Sequence, residues 1–341
     1  MSENSEVTAL VSDDPEKLEK ISKQYGIQNT YSYDEYDDCL NSGEIDAVYI
    51  ALPNHLHKEY TVRAAEAGIH VLCEKPMAVT AQECNEMIRS CNENAVKLMI
   101  AYRLHFEEAN LSAIEVLKSG QIGEPRIFNS VFTQQVKPGD IRLQAALGGG
   151  TLADIGIYCI NAVRYLFQDE PIEVFATSAT TSEDRFKEIP EMTAAILRFP
   201  GDRLATFTIS FGAAPVSTYQ IVGTKGDLRL ESAYGSEEIT HQLTIDGETQ
   251  ERSFPAVDQF AAEFVYFSNC ILQDRQPEPS GMEGLNDVRI IQSLEQSIKS
   301  GQFVKIEDLD RHARPSLDQV MKFPAVQPPE LVNASDPSGK S

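Results

Sequence analysis

The chain has 341 residues, 42% of them hydrophobic, and a formal net charge of −23 at pH 7. This length favours two domains, and the acidic balance excludes the basic surface that binds nucleic acid or anionic membranes. We therefore expect a small-molecule ligand. The six cysteines form no CxxC pair and the histidines lack zinc-ligand spacing, so buried thiols and no metal site are predicted. The N-terminus has no secretory pattern, which favours the cytoplasm.

Strand and helix patterns alternate over the first hundred residues. The apolar runs at 45–52 (IDAVYIAL) and 70–73 (HVLC) are typical of strands that are buried on both faces. Between the strands lie helix patterns, one of them bracketed by Pro15 and Gly26. Such alternation predicts βαβ units and a parallel, Rossmann-type sheet. We place this dinucleotide-binding domain at residues 1–103.

The pattern changes in the second part of the chain. Two helices are predicted, near 109–119 and 149–167, and five strand patterns with turn residues between them follow. They indicate an α/β domain, residues 104–313, with a large, open and mainly antiparallel sheet. Residues 314–341 are rich in proline and serine and are predicted to form a tail.

Polar residues follow three of the predicted parallel strands. The first strand ends at Ser12, the second runs into PNHLH (53–57), and the third runs into Glu74, Lys75 and Pro76. Ligands of open parallel sheets bind beyond the carboxyl ends of the strands. The charged pair after the third strand is therefore either a ligand-facing strand end or a helix-initiating turn with solvated charges. Position alone favours neither.

A second group of polar residues lies on the helix near 149–167. Asp154 and Tyr158 are four residues apart and share one helix face, where a carboxylate and a phenol can orient or relay a proton. The alternative is an amphipathic helix with a buried tyrosine ring, which the pattern alone favours. Gly148 and Gly150 begin a G-x-G-x-x-A match, but a mixed, polar segment precedes them. A dinucleotide fingerprint should follow a buried strand, so this interpretation is weak.

Together these segments resemble the Gfo/Idh/MocA family of nicotinamide-dependent oxidoreductases, with the closest similarity to its glucose–fructose oxidoreductase branch. The resemblance is carried by AGIHVLCEKPMAVT, AYRLHFEEAN and GGGTLADIGIYCINAVRYL, and it extends from about Val7 to about Ile306. It implies a Rossmann domain followed by an α/β domain. The large sheet of the second domain commonly packs against another subunit, so a homodimer or homotetramer is expected.

The resemblance also implies a reaction, namely hydride transfer to or from a hydroxyl-bearing carbon of a sugar or cyclic polyol. Lys75 corresponds to the active-site lysine, Tyr158 to the acid/base group and Asp154 to the carboxylate. Removing a hydride from such a carbon requires removing the hydroxyl proton, and a nearby ammonium group stabilises a phenolate that accepts it. The expected substrate-binding residues are Lys75, His105, Arg142, Asp154 and Tyr158.

NADP is expected as the cofactor in preference to NAD. NAD enzymes usually place an acidic residue directly after the second Rossmann strand, whereas Ser12 lies there, with Lys17 downstream. Asp13 and Asp14 count against a phosphate, although helix capping is the simpler role for both. The cofactor-binding residues implied by the resemblance are Ser12, Lys17, Tyr33, Leu52, Pro53, Asn54, His57, Glu74, Lys75 and Arg103.

The family pattern opens with a strand, a glycine-rich turn and a helix that hold the pyrophosphate, and the sequence as given begins at the second strand. We therefore expect an incomplete Rossmann unit, an unpaired edge on the first strand and weak NADP binding. A dihydrodiol or xylose dehydrogenase is the alternative within the enzymes. A catalytically silent regulator that binds a sugar or nucleotide is the alternative of another class.

Overall fold

The computed structural model describes residues 4–307, 309, 314–326 and 331–333. The N-terminal part is a layer of short parallel strands with helices between them. The strands are β1 (Ala9–Val11), β2 (Asn29–Tyr31), β3 (Ala47–Ile50), β4 (His70–Glu74) and β5 (Leu98–Ala101). The helices are α1 (Pro15–Tyr25), α2 (Tyr36–Leu40), α3 (His57–Glu66) and α4 (Ala81–Glu93).

The parallel strands pair in two groups. β1 pairs with β2, and β3, β4 and β5 pair in that order. The predicted parallel Rossmann-like architecture is confirmed. Within the described residues, β1 and β3 each have a strand neighbour on one side only. The predicted domain boundary near residue 103 stays a prediction, and it falls in the 3₁₀ turn that follows β5.

Local capping explains why these helices begin where the sequence predicted. Asp14 accepts a hydrogen bond from the backbone amide of Lys17, Pro15 occupies the first turn, and α1 ends at Gly26 with φ 72°. α4 begins after Thr80, whose side chain forms a reciprocal capping box. The capping role predicted for Asp14 is therefore confirmed.

The second part of the chain forms a nine-stranded sheet in the order β13-β12-β11-β10-β6-β9-β8-β7-β14. Neighbours are antiparallel except β6 and β9, which are parallel. The strands are β6 (Pro125–Gln135), β7 (Glu173–Ala179), β8 (Met192–Phe199), β9 (Arg203–Ser210), β10 (Gly212–Gly223), β11 (Gly226–Glu231), β12 (Ile239–Ile245), β13 (Glu248–Phe254) and β14 (Val304–Lys305). The helices are α5 (Glu108–Lys118), α6 (Ile157–Phe167), α7 (Gln259–Leu272) and α8 (Gly281–Ser300).

One face of this sheet is covered and the other is open, as predicted. Phe128, Phe207 and Leu197 point to the covered side and are at most 2% exposed. The neighbouring Ile127 and Leu204, which pair across β6 and β9, are 42% and 43% exposed. This alternation is typical of an antiparallel sheet with a single packed face.

Two segments tie the parts of the chain together. α7 returns to the parallel sheet, where Tyr266 and Phe267 pack against Leu72 and Met99. The stretch 145–167, which includes α6, is long and apolar enough to cross a membrane, but 56% of its most apolar window is buried inside the protein. α6 is therefore a core helix of the second domain.

Part of the predicted tail packs on the body of the protein. We call residues 314–326 the C-terminal strap. Its Phe323 accepts a backbone hydrogen bond from Asp258 at 3.0 Å, and its Lys322 lies 2.6 Å from a carboxylate oxygen of Glu108. The strap is thus an ordered part of the fold, whereas most of the remaining tail lies outside the described residues.

Candidate active site

Lys75 reaches from the end of β4 into the second domain. Its Nζ donates a hydrogen bond to the backbone oxygen of Asp154 at 2.9 Å and lies 3.7 Å from Asp154 Oδ1. The same ammonium group lies 4.6 Å from the centroid of the Tyr158 ring. The three residues predicted to be catalytic therefore meet at the domain interface.

The helix that carries Asp154 and Tyr158 begins with a π-helical turn at Leu152–Gly156 and continues as α6. Gly156 lets this turn lie close to the sheet, because an added Cβ would be 2.9 Å from Ile209 Cδ1. The half-buried Tyr158 ring packs edge-on against Phe132 at a centroid distance of 5.6 Å. The fold thereby presents the tyrosine and the carboxylate to Lys75.

The Asp154 carboxylate is fixed by two donors. Gln134 Nε2 and Arg142 Nε each donate to Asp154 Oδ2 at 3.1 Å, and Arg142 also pairs with Asp140 at 3.3 Å. Arg142 thus lies beside the residues predicted to be catalytic, and its contact with a sugar stays a prediction. Gln134 is on β6, a strand that the sequence pattern did not reveal, so the sequence analysis missed it.

The surroundings keep Lys75 charged. Burial of the side chain works against the ammonium form, but the adjacent Tyr158, Asp154 and Glu74 outweigh it and raise the pKa of Lys75 above its ordinary value. A permanent positive charge beside a phenol and a carboxylate can stabilise negative charge that develops on the phenol oxygen or on a bound hydroxyl group.

Arg103 is the second cation beside the tyrosine. Its guanidinium carbon lies 5.3 Å from the Tyr158 ring centroid. The guanidinium donates to the backbone oxygen of Gly235 at 3.1 Å, to that of Tyr234 and to the side chain of Gln259. Arg103 therefore joins the turn after β5 to the large sheet and to α7, and it places positive charge on the side of the ring.

Glu74 and a buried carboxyl group border the cluster. Glu74 accepts hydrogen bonds from the Tyr49 hydroxyl at 2.6 Å and from the Lys75 amide at 3.2 Å. Nearby, Glu263 is only 1% exposed, and within the part of the chain that the structure describes its Oε1 has no hydrogen-bond partner. Burial, with the negative charge of Glu74 second, raises the pKa of Glu263 well above its ordinary value. Glu263 could not be predicted from the sequence, because α7 lies far along the chain from the other residues of the site.

The loop that contains Gly148 and Gly150 packs closely against the N-terminal domain. Asn54 Nδ2 donates to the Gly148 backbone oxygen at 2.8 Å, and a Cβ on Gly148 would lie 2.9 Å from Val79. A 3₁₀ turn, Ala145–Leu147, precedes Gly148 where a dinucleotide fingerprint needs a strand. The loop then returns to the cluster, since the Gly150 amide donates to the Arg142 backbone oxygen at 3.0 Å.

Two histidines that were predicted to bind the cofactor or the sugar are buried. His57 is fully buried, and its ring nitrogens lie 2.8 and 2.9 Å from two backbone carbonyl oxygens. His105 is also fully buried, between Glu278 at 3.0 Å and Asn161 at 2.7 Å. The predictions that His57 contacts the cofactor and that His105 lines the sugar pocket are corrected accordingly. The resemblance implied both contacts, but backbone carbonyl groups occupy the His57 ring and the side chains of Glu278 and Asn161 occupy the His105 ring.

The residues predicted for the adenosine end of the cofactor lie around the end of β1. Ser12 Oγ accepts the Asp14 amide at 3.2 Å, which leaves its hydroxyl hydrogen free to donate. The Asp13 carboxylate accepts the Tyr33 amide at 2.7 Å, and Asp14 caps α1 through Lys17. Both aspartates thus have structural partners.

The described residues fit only part of a dinucleotide. Leu52, Pro53 and Asn54 follow β3 and are half-buried at the same sheet edge as Lys75. They can line the nicotinamide half of a cofactor. At the N-terminus of α1, the Asp14 carboxylate already accepts the backbone amide of Lys17.

Comparisons with known proteins agree with this architecture. Residues 1–102 match the family model "Oxidoreductase family, NAD-binding Rossmann fold", and residues 111–229 match the "GFO/IDH/MocA C-terminal domain". The chain is 36% identical over 311 residues to D-xylose 1-dehydrogenase [NADP(+)] of Haloarcula marismortui, covering 89% of this chain and 86% of that protein.

Two solved structures are similar over most of the chain. The aldose-aldose oxidoreductase of Caulobacter crescentus, complexed with glycerol, matches with a TM-score of 0.84 and 37% identity, covering 89% of this chain and 92% of that one. A 3-ketoreductase of Actinomadura kijaniata, in complex with NADP and TDP-benzene, matches with a TM-score of 0.79 and 27% identity. The match covers 86% of this chain and 89% of that one.

Proposed function

Because the chain belongs to the Gfo/Idh/MocA family of oxidoreductases, we propose that it transfers a hydride between NADP and a hydroxyl-bearing carbon of a sugar, in the cytoplasm. The observation that carries this proposal is the meeting of Lys75, Asp154 and Tyr158 at the end of β4. An intact cluster of this kind argues against a catalytically silent regulator.

Each residue of the cluster has a distinct role in the proposed reaction. In the oxidising direction, the Tyr158 oxygen would accept the proton of the substrate hydroxyl group. Oxidised NADP, lined by Leu52, Pro53 and Asn54, would supply the hydride acceptor. Lys75 stabilises the negative charge that develops on these oxygens. Asp154, held by Gln134 and Arg142, orients the substrate hydroxyl group. In the reducing direction, Tyr158 returns the proton.

The charge balance of the site favours a free sugar over a sugar nucleotide. Lys75 is paired with Asp154, and Arg142 is paired with both Asp154 and Asp140. Because both cations are already paired with carboxylates, little positive charge remains to bind a diphosphate group. The relatives at 36% and 37% identity are named for free aldoses, which points the same way. Turnover of D-xylose or D-glucose with NADP should exceed that of a dTDP-linked sugar, and the reverse order would contradict the assignment.

A D-xylose 1-dehydrogenase is the second candidate, favoured by the haloarchaeal relative. The first candidate is an aldose–aldose oxidoreductase, like the similar structure from Caulobacter crescentus. The two candidates differ in what happens to the reduced cofactor. A dehydrogenase releases NADPH, so absorbance at the nicotinamide band accumulates with turnover. An aldose–aldose oxidoreductase keeps the cofactor and reduces a second aldose. Sugar acid and polyol formed in equal amounts without accumulated NADPH would identify the latter.

The proposed roles are tested by two substitutions. Tyr158→Phe keeps the packing against Phe132 and removes only the hydroxyl group, so turnover should fall by roughly a hundredfold or more. Lys75→Met should also remove most activity. The control is Lys58→Met, because Lys58 forms an exposed ion pair at 3.6 Å on the surface. Unchanged turnover of the Tyr158→Phe protein would refute its acid/base role.

The preference for NADP is supported by the end of β1. Ser12 offers a hydroxyl donor, and the two following aspartates are held in local hydrogen bonds. Titrating NADP and NAD into the protein tests the preference. Tighter binding of NAD would overturn it, and Ser12→Asp should shift the preference toward NAD.

We also propose that the open sheet face forms a homo-oligomer interface. Its exposed apolar side chains lie on the central strands β6, β8 and β9, where an apolar patch indicates a protein contact. They are Ile127, Val131, Ile196 and Leu204. Leu204→Arg should dissociate the oligomer in sedimentation, whereas Leu272→Arg, at a 71% exposed site on α7, should not. A wild-type protein that sediments as a monomer would refute this interface.

A further inference from the structure

The C-terminal strap contributes a charge to a buried ionic cluster beneath α6. In this cluster Arg164, which is fully buried, lies 2.6 Å from Glu170, 2.9 Å from Glu283 and 2.6 Å from Asp287. Arg314 of the strap adds a second guanidinium, which lies 3.1 Å from Glu283 and also contacts Glu170. Three buried carboxylates therefore share two arginines, and one of these belongs to the strap.

The first link from the strap leads to Asn161 on α6. The carboxylate that Arg314 binds, that of Glu283, also accepts a hydrogen bond from Asn161 Nδ2 at 2.9 Å. Asn161 Nδ2 donates to Asp287 as well, at 3.0 Å. The amide orientation of Asn161 thus depends on carboxylates whose charge Arg314 helps to balance.

The second link leads to His105. Gln319 of the strap donates to Glu278 Oε2 at 2.7 Å, and Glu278 Oε1 lies 3.0 Å from His105 Nδ1. His105 Nε2 in turn lies 2.7 Å from Asn161 Oδ1. Both links from the strap therefore converge on one buried pair, His105 and Asn161.

This pair lies directly behind the candidate active site. His105 is two residues after Arg103 in the turn that follows β5, and Asn161 is one helical turn after Tyr158. The hydrogen bond between His105 and Asn161 joins these two elements. It therefore connects the turn that carries Arg103 to the helix that carries Tyr158, whose ring centroid lies 5.3 Å from the Arg103 guanidinium carbon.

We propose that Arg314 and Gln319 of the C-terminal strap are positioning residues of the reaction, acting through the His105–Asn161 pair. The catalytic part of this inference rests on the proposed function. Neither strap residue belongs to the cluster around Lys75. A shift of about 1 Å in a reacting group can cost up to a hundredfold in rate, so small displacements of α6 suffice.

The experiment compares four changes within the strap of the full chain, one of which, Arg314→Met, removes the guanidinium charge altogether. Gln319→Leu removes the donors to Glu278 without changing charge, and Arg314→Lys keeps the charge but loses the two-pronged contact. Lys322→Met is the matched control, because its ion pair lies at the surface with the lysine side chain 62% exposed. Steady-state kinetics and amide hydrogen exchange are measured for each protein.

Gln319→Leu should lower kcat by about tenfold while leaving the KM for NADP unchanged, because the loss affects orientation and not cofactor binding. Arg314→Lys should retain more activity than Arg314→Met. In the Gln319 and Arg314 variants, amide hydrogen exchange should become faster in α6 (157–167) and in the turn after β5, but not in α4. The exchange measurement needs no substrate, so it tests the positioning even if the proposed activity is wrong. Wild-type kinetics and unchanged exchange in Gln319→Leu would overturn the inference.

Discussion

Gly148→Ala tests the contact between the loop that contains Gly148 and Gly150 and the N-terminal domain. Gly148 has φ +80°, and an added Cβ would lie 2.8 Å from Asn54 Cβ and 2.9 Å from Val79 Cγ2. Carbon atoms prefer separations of about 3.5–4.0 Å, so the loop must move away from both residues. The movement also breaks the 2.8 Å hydrogen bond from Asn54 to the Gly148 backbone oxygen.

The expected magnitude follows from three contributions. Alanine in the left-handed region costs about 1–2 kcal/mol, loss of the hydrogen bond costs about 1 kcal/mol, and relief of the overlap costs about 1–2 kcal/mol. Gly139→Ala is the matched control, since Gly139 has φ +87° and no described residue lies within 4 Å of an added Cβ. Gly139→Ala should incur only the cost of alanine in the left-handed region. The two variants should therefore differ by about 2–3 kcal/mol in unfolding free energy.

Urea unfolding of both variants measures this difference, and steady-state kinetics measure its effect on the site. Because Gly150 binds the Arg142 backbone and Arg142 binds Asp154, displacement of the loop should also lower kcat/KM in Gly148→Ala. The Gly139→Ala protein should keep the wild-type kcat/KM. Equal losses of stability and activity in the two variants would show that the close approach at Gly148 is not needed.

Two further predictions concern stability. Arg164→Met leaves buried carboxylates unpaired and should destabilise the protein by about 3–5 kcal/mol, whereas Arg198→Met, which breaks a half-exposed pair, should cost less than about 1 kcal/mol in urea unfolding. Burial lowers the pKa of His241 to about 4, so the folded ring stays neutral while the unfolded one takes up a proton below about pH 6.5. Stability should therefore fall by up to about 3 kcal/mol between pH 6.5 and 4, and His241→Gln should lose much less over this range, as measured by urea midpoints at both pH values.

Prediction from the sequence succeeded where the deciding interactions lie within a few residues. The capping of α1 by Asp14 and of α4 by Thr80 involves amides three residues away, so the pattern is visible in the chain itself. The spacing of Asp154 and Tyr158 likewise places both on one helix face. These local signals were enough to predict the alternating architecture, whereas the centre of the candidate site was predicted only once the family resemblance was added to them.

Prediction failed where the deciding partners are distant. β6 runs through the middle of the large sheet, but its side chains alternate between core and open face and include polar residues such as Asn129 and Gln134. The sequence therefore showed no clear strand, and Gln134 was missed with it. The family resemblance implied ligand contacts for His57 and His105, whereas both lie in the core.

The sequence by itself determined the βα units and their helix ends, because periodicity and capping act over short distances along the chain. The residues that meet at the end of β4 were predicted from the family resemblance. Only the tertiary structure decided which polar groups remain open to a ligand. His105 is satisfied by Glu278, 173 residues away, and Arg314 by Glu170, 144 residues away. A buried polar group must find its partner wherever the fold brings one near, and sequence spacing carries no record of that encounter.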